Sequence, residues 1–121
     1  MKLQHVILSD LHFPLHDDAA VRGVIDELRR TKIEHLHLLG DMYDCAAFSR
    51  FLKTPNELAA TPQTLAQGKQ YLSTLIARLH ARKVYFYVGN HEERLVKYIL
   101  RNAPALFGTV TYKLIAPEGA E

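Results

Sequence analysis

Residues 84–94, VYFYVGNHEER, set a run of Val, Tyr and Phe directly against a glycine, an amide, an imidazole and two carboxylates. The run is short and rich in aromatic and β-branched residues, which predicts a buried strand rather than a helix. Taken alone, Gly89-Asn90 is an ordinary turn pair. A strand that ends in ionisable groups is also how an open α/β sheet brings ligands to its carboxyl edge. The remainder of the chain decides between these two readings.

Two further apolar runs end in the same way. Leu3–Leu8 leads into Ser9-Asp10-Leu11-His12, and His35–Leu39 leads into Gly40-Asp41-Met42-Tyr43-Asp44. Together with Lys83–Val88 they predict three strands, nearly continuous in apolar residues and therefore covered on both faces. Between the first two, Val21, Val24, Ile25 and Leu28 fall on one helical stripe, capped by Asp17 or Asp18. Before the third, Leu65, Leu72, Leu75, Ile76 and Leu79 form another stripe that starts near Thr64. Glu92–Arg101 predicts a last helix with Leu95, Val96, Ile99 and Leu100 turned inward.

This alternation predicts an α/β fold, a parallel or mixed sheet with flanking helices. The segment 45–63 is less regular. CAAFSRFLK predicts a short helix, and TPNELAATP, interrupted by Pro55 and Pro62, predicts turns. GTVTYKLIA, residues 108–116, reads as one more strand. No repeat and no boundary divides the chain, so residues 1–121 are expected to form a single domain.

Composition narrows the function classes. The chain is 48% hydrophobic and 23% charged, without a low-complexity tract, as expected of a globular protein. No apolar run approaches the roughly 20 residues of a membrane span. MKLQHVILSDLH reads as a first strand rather than a signal peptide. A net charge of +2 with scattered basic residues does not indicate nucleic acid. The single cysteine, Cys45, excludes an intramolecular disulfide and suits a reducing cytoplasm. No Gly-rich phosphate loop is present, which counts against a nucleotide-binding α/β domain.

If the three strands are neighbours, Asp10, His12, Asp41, Asp44, Asn90 and His91 meet at one edge. An oxygen-rich set with some nitrogen suits Mn²⁺, Fe²⁺, Zn²⁺ or Mg²⁺ better than a thiolate-loving metal. Asp10 and His12, two residues apart, would share one side of an extended chain and grip one ion. Gly40 and Gly89 permit close backbone approach. Each signal has a plainer alternative. Asp-x-His can be a cap beside a surface histidine, Asp44 can cap a helix starting at Cys45, and Gly-Asn can be a turn. Their joint occurrence, each after an apolar strand, favours a site.

Asp10-Leu11-His12, Gly40-Asp41-Met42-Tyr43-Asp44 and Gly89-Asn90-His91-Glu92 resemble the D-x-H, G-D-x-x-D and G-N-H-[DE] motifs of the calcineurin-like metallophosphoesterases. The resemblance covers residues 3 to about 100. It implies the N-terminal part of an α/β/β/α sandwich, and hydrolysis of a phosphomonoester or phosphodiester by water activated between two divalent metal ions. It implies that Asp10 and His12 hold the first metal, Asp41 bridges both and Asn90 holds the second. His91 would hydrogen-bond the phosphate or protonate the leaving group, and Asp44 would orient His91. Arg94, one turn beyond His91, is a further candidate for the phosphate; its alternative is a solvated residue paired with Glu92 or Glu93.

The later elements of that family pattern, an isolated His and a Gly-His-x-His, have no counterpart, because all seven histidines lie at or before His91. His35 and His37 alternate with leucines and read as packed or edge residues. His80 lies late in a helix, where positive charge suits the dipole, and His16 is a candidate pocket residue. Cys45 reads as packing, while Tyr43 either shapes the pocket mouth or packs. The second metal site is thus expected to be incomplete. Half a sandwich would leave an apolar sheet face open. The expectation is therefore a piece of a longer protein, or a homo-oligomer in which a second copy covers that face. The alternative to an enzyme is an interaction module without turnover, or an inactive fragment that needs its other half.

Overall fold

In the computed structural model, which describes residues 1–121, three parallel strands pair in the order β1-β2-β3. They span β1 (Lys2–Leu8), β2 (Lys32–Leu38) and β3 (Lys83–Phe86). Leu8 pairs with Leu38, and Leu38 with Phe86, so all three carboxyl ends reach the same edge. This is the predicted α/β arrangement, with the sheet wholly parallel. β3 is shorter than predicted, although the Tyr87 N–H still donates to the Leu38 carbonyl at 2.9 Å.

Two helices cover one face of the sheet. α1 (Asp18–Leu28) begins where the Asp17 carboxylate accepts from the Ala20 N–H at 3.0 Å, a standard N-cap. Ile25 turns inward, while Val24 is exposed. α3 (Thr61–Leu79) contributes Leu72, Leu75 and Leu79, which pack with Val6, Leu36, Leu38 and Val84 of the sheet. α4 (Glu93–Asn102) follows β3 and buries Leu95 and Ile99; Leu100, predicted to face inward, is exposed.

Three local predictions are corrected. TPNELAATP is not a pair of turns. α2 (Pro55–Ala59) forms there because Thr54 and Glu57 make a reciprocal capping box, with the Glu57 N–H donating to Thr54 Oγ1 at 3.2 Å and the Thr54 N–H to Glu57 Oε2 at 2.5 Å. Pro55 and Pro62 sit in the first turns of α2 and α3, where a missing N–H is harmless. CAAFSRFLK yields a single 3₁₀ turn, Ala46–Phe48. GTVTYKLIA is not a strand either. It folds into a 3₁₀ turn at Tyr112–Leu114, started by the Thr111 hydroxyl, and drops Ile115 into the core. Residues 120–121 lie beside β3 instead, where the Glu121 N–H donates to the Val84 carbonyl at 2.9 Å.

The other sheet face is only partly the apolar surface expected of it: Ile7, paired with His37, is exposed there. Imidazoles and phenols cross it in a hydrogen-bonded row. His5 Nδ1 lies 3.0 Å from His37 Nε2, His37 Nδ1 3.0 Å from Tyr87 Oη, and Tyr85 Oη 3.3 Å from His35 Nδ1. The rings stack from strand to strand, with His37 and Tyr85 centroids 5.0 Å apart. His35 and His37 alternate with leucines because β2 is the central strand, with Leu36 and Leu38 on its helix-covered side.

The two helical glycines should respond oppositely to alanine. Around Gly23 a Cβ would meet nothing within 4 Å, so Gly23→Ala is expected to stabilise by about 0.5–1 kcal/mol through helix propensity. At Gly68 a Cβ would lie 2.3 Å from the Tyr43 ring, so Gly68→Ala is expected to destabilise by about 1–3 kcal/mol. Urea unfolding of the two variants measures both.

Candidate metal and phosphate site

At the carboxyl edge the loops after β1 and β2 stay paired beyond the strands. The His12 N–H donates to the Asp41 carbonyl at 2.9 Å, Phe13 to Met42 at 2.8 Å, and Asp44 back to Phe13 at 3.0 Å. The chain follows this course by turning left-handed at Asp10 (φ 57°), His12 (φ 54°), Asp41 (φ 53°) and Cys45 (φ 53°). Asp10 and His12 do converge, with His12 Nε2 3.7 Å from Asp10 Oδ1. They do so through these turns and not along an extended chain as expected.

The third loop is brought in by bare backbone. A Cβ on Gly40 would lie 2.9 Å from the Gly89 Cα, and one on Gly89 would lie 2.3 Å from Asp41 Oδ1. With no side chain between them, Asp41 Oδ1 accepts the His91 N–H at 2.9 Å. Glu92, 0% exposed, completes the junction: its carboxylate accepts the Asp41 N–H at 3.0 Å and the Met42 N–H at 2.9 Å. Burial pushes the Glu92 carboxyl above the usual carboxylate range, and the backbone amides of Met42, Glu92 itself and Asp41 offset only part of that rise. Glu92 was visible in the sequence only as the last letter of a motif. Its clamping role has no signal other than its place beside His91 at the start of a helix.

Five of the predicted residues come together. Asp10, His12 and Asp41 each present a ligand atom, all within 4.8 Å of one another; His12, Asp44 and His91 form a second such group. Asp44 Oδ1 lies 3.3 Å from His12 Nδ1 and 3.4 Å from His91 Nδ1, so it faces both imidazoles. Its own carbonyl lies 2.9 Å from His91 Nδ1. The His12 and His91 rings meet edge to face with centroids 4.5 Å apart. Asp44 does not cap the following 3₁₀ turn, which has no side-chain cap.

Asn90 is exposed on the same loop as His91. Arg94 pairs with neither Glu92 nor Glu93. Its guanidinium donates to the Asp44 carbonyl at 3.1 Å and has no carboxylate within 4 Å. His16 stacks on Phe13 at 5.1 Å and lines a cleft of about 280 Å³ with Asp10, its Nδ1 buried without a hydrogen-bond partner. His80 is the left-handed C-cap of α3, just before the amino end of β3 and so at the opposite end of that strand from this edge. Tyr43 is buried and donates to the Ile115 carbonyl at 2.6 Å. It packs, and it also lines a pocket against Asp44.

The family model described as calcineurin-like phosphoesterase matches residues 4–115. The chain belongs to this family. Among curated relatives, the Gene 54 protein of Mycobacterium phage L5 is 29% identical over 109 residues, covering 88% of this chain and 42% of that protein. The Gene 54 protein of Mycobacterium phage D29 is 28% identical over the same length and shares. The chain therefore spans less than half the length of these relatives. No solved structure matches it significantly. No helix is long and apolar enough to cross a membrane.

Two measurements probe this edge. Removing the Glu92 carboxylate leaves two amides without acceptors, so Glu92→Ala is expected to destabilise by about 2–4 kcal/mol. Hydrogen exchange should show the Asp41 and Met42 amides losing protection. Cys45 is buried and its thiol is pushed up to about 12, first by desolvation and then by the Glu92 and Asp44 carboxylates. At pH 8 it should react with a disulfide reagent only as fast as the chain unfolds, and denaturant should release it.

Proposed function

We propose that this chain carries the metal-binding and phosphate-positioning edge of a phosphoesterase that hydrolyses a phosphomonoester or phosphodiester. The observation that carries this reading is the convergence of Asp10, His12 and Asp41 beside His12, Asp44 and His91, from separate strand ends, in a chain of the phosphoesterase family. Carboxylate oxygens and imidazole nitrogens at such separations suit divalent Mn, Fe, Zn or Mg.

In this reading Asp10, His12 and Asp41 would hold a divalent ion, and Asp41 and Asn90 would contribute to holding a second. A neutral amide adds no charge that would repel phosphate. When bound, such a pair of ions clamps a phosphate and lowers the pKa of a water between them. The residues of the chain supply the rest. Asp44 takes the Nδ1–H of His12, which leaves the Nε2 lone pair on the side of Asp10. The Asp44 carbonyl takes the Nδ1–H of His91, so His91 Nε2 is the end presented to a leaving oxygen. An imidazolium at His91 would have the Asp44 carboxylate as counterion and could protonate that oxygen. Arg94, held by the Asp44 carbonyl and free of acids, offers its fork to the phosphate.

A second reading, a metal-binding scaffold without turnover, is favoured by one fact: no histidine follows His91 in these 121 residues. Calorimetry with Mn²⁺ or Zn²⁺ is expected to show binding that Asp10→Ala or His12→Ala weakens about 10–100-fold or more. A flat titration would overturn both readings. Hydrolysis of aryl phosphate monoesters and diesters with Mn²⁺, by this chain and by a longer version, separates the two. Turnover lost in His91→Ala with metal affinity retained supports the enzyme. Metal binding with no hydrolysis by either version leaves the scaffold.

A further inference from the structure

Basic residues that are scattered in the sequence are partly gathered by the fold. Arg29 and Arg30 leave the end of α1, and Arg78 and His80 close α3. The four line one open cleft of about 400 Å³, and no apolar residue shares its wall. α1 leads into β2 and α3 into β3, so the cleft lies at the amino end of the sheet. The metal and phosphate edge is a strand away, roughly 20 Å along β2. Other cations at this end are already paired: Lys2 and Arg82 both meet Glu34, each at 3.1 Å. In the cleft only Arg29 meets an acid, Asp26 at 3.7 Å; Arg30, Arg78 and His80 have no carboxylate within 4 Å. A cation at a helix carboxyl end has a plain use, which is to complement the helix dipole. That accounts for Arg78 and His80 on α3 and for Arg29 on α1, one helix at a time. It does not account for two helices turning their cations into one cleft, where like charges repel.

We propose that this cleft binds a compact oligophosphate anion, at a site separate from the metal edge. The inference goes beyond the phosphoesterase reading and does not depend on it. A guanidinium fork matches two oxygens of one phosphate, and three forks in one cleft can hold adjacent phosphates. With no apolar wall there is nothing for a base or a ring to stack on, so recognition is by charge and by N–H donors alone. An extended nucleic-acid strand would need cations along a track. The neighbouring groove between α1 and α3, which shares Arg78, does not supply one. Gln67, Gln70 and Thr74 line it, and its Arg22 is held by Asp18. Positive charge is thus concentrated at one spot, which suits several phosphates on a short chain.

The probe is inorganic tripolyphosphate, titrated calorimetrically into metal-stripped protein so that the carboxyl edge cannot retain phosphate through an ion. One equivalent is expected to bind, about ten-fold or more tightly than orthophosphate. Arg30→Gln and Arg78→Gln change exposed side chains outside the metal and phosphate set, and each should weaken binding about ten-fold. Arg82→Gln removes the same charge at the same end of the sheet and should change affinity by less than about two-fold. No binding by the unaltered protein, or binding that survives both cleft variants, would overturn the proposal. An equal loss in Arg82→Gln would also overturn it, because diffuse charge and not a site would then explain the affinity. Citrate bound as tightly as tripolyphosphate would overturn the phosphate class, and a thymidine tetranucleotide bound as tightly would overturn the compact anion in favour of a strand. None of these results bears on metal binding or hydrolysis at the other edge, so the two readings fail separately.

Discussion

The carboxyl edge depends on two stretches of backbone that touch. Gly40 and Gly89 approach so closely that a Cβ on Gly40 would lie 2.9 Å from the Gly89 Cα. Parallel pairing alone would bring β2 and β3 level at Leu38 and Phe86, but not their loops into contact. The glycines allow the loop after β3 to fold under the loop after β2. From that follow the bond from the His91 N–H to Asp41 and the reach of Glu92 beneath Met42. The placement of His91 against Asp44 is a further result of the same contact.

Glu92 shows how much this edge relies on enclosure. A carboxylate with no exposed surface is costly unless it is hydrogen-bonded, and here two backbone amides meet it. Those amides belong to a loop with a left-handed residue, which has few intraloop partners of its own. The acid and the loop thus satisfy each other. Asp44 plays a comparable part nearer to solvent, with its carboxylate facing two imidazoles and its carbonyl taking both His91 and Arg94.

Much of this was legible in the sequence, and for identifiable reasons. The strands and the longer helices announced themselves by period, and the site residues by their position directly after apolar runs. TPNE was also legible: Thr54 and Glu57 with Pro55 between them spell a capping box, yet the prolines read as breakers. GTVTYKLIA misled because its alternation is real but no strand lies beside it; Ile115 is anchored instead by a carbonyl bond from Tyr43, a partner that sequence spacing does not reveal. The imidazole and phenol row could not be foreseen, since His5, His37 and Tyr87 become neighbours only through strand register. The double duty of Asp44 is likewise a matter of three dimensions. So is the freedom of Arg94 from its neighbouring acids.

The left-handed turns at Asp10, His12, Asp41 and Cys45 carry an evolutionary consequence. Only glycine enters this region without penalty, and each residue with a side chain costs on the order of 1 kcal/mol there. Selection for stability alone would drift such positions toward glycine or asparagine. Three of the four instead hold a carboxylate or an imidazole at the converging edge. Tolerance in this fold should therefore be lopsided: sequences that gain ruggedness most cheaply would do so by surrendering these groups, and lineages that keep them must recover the difference in the helix-covered core.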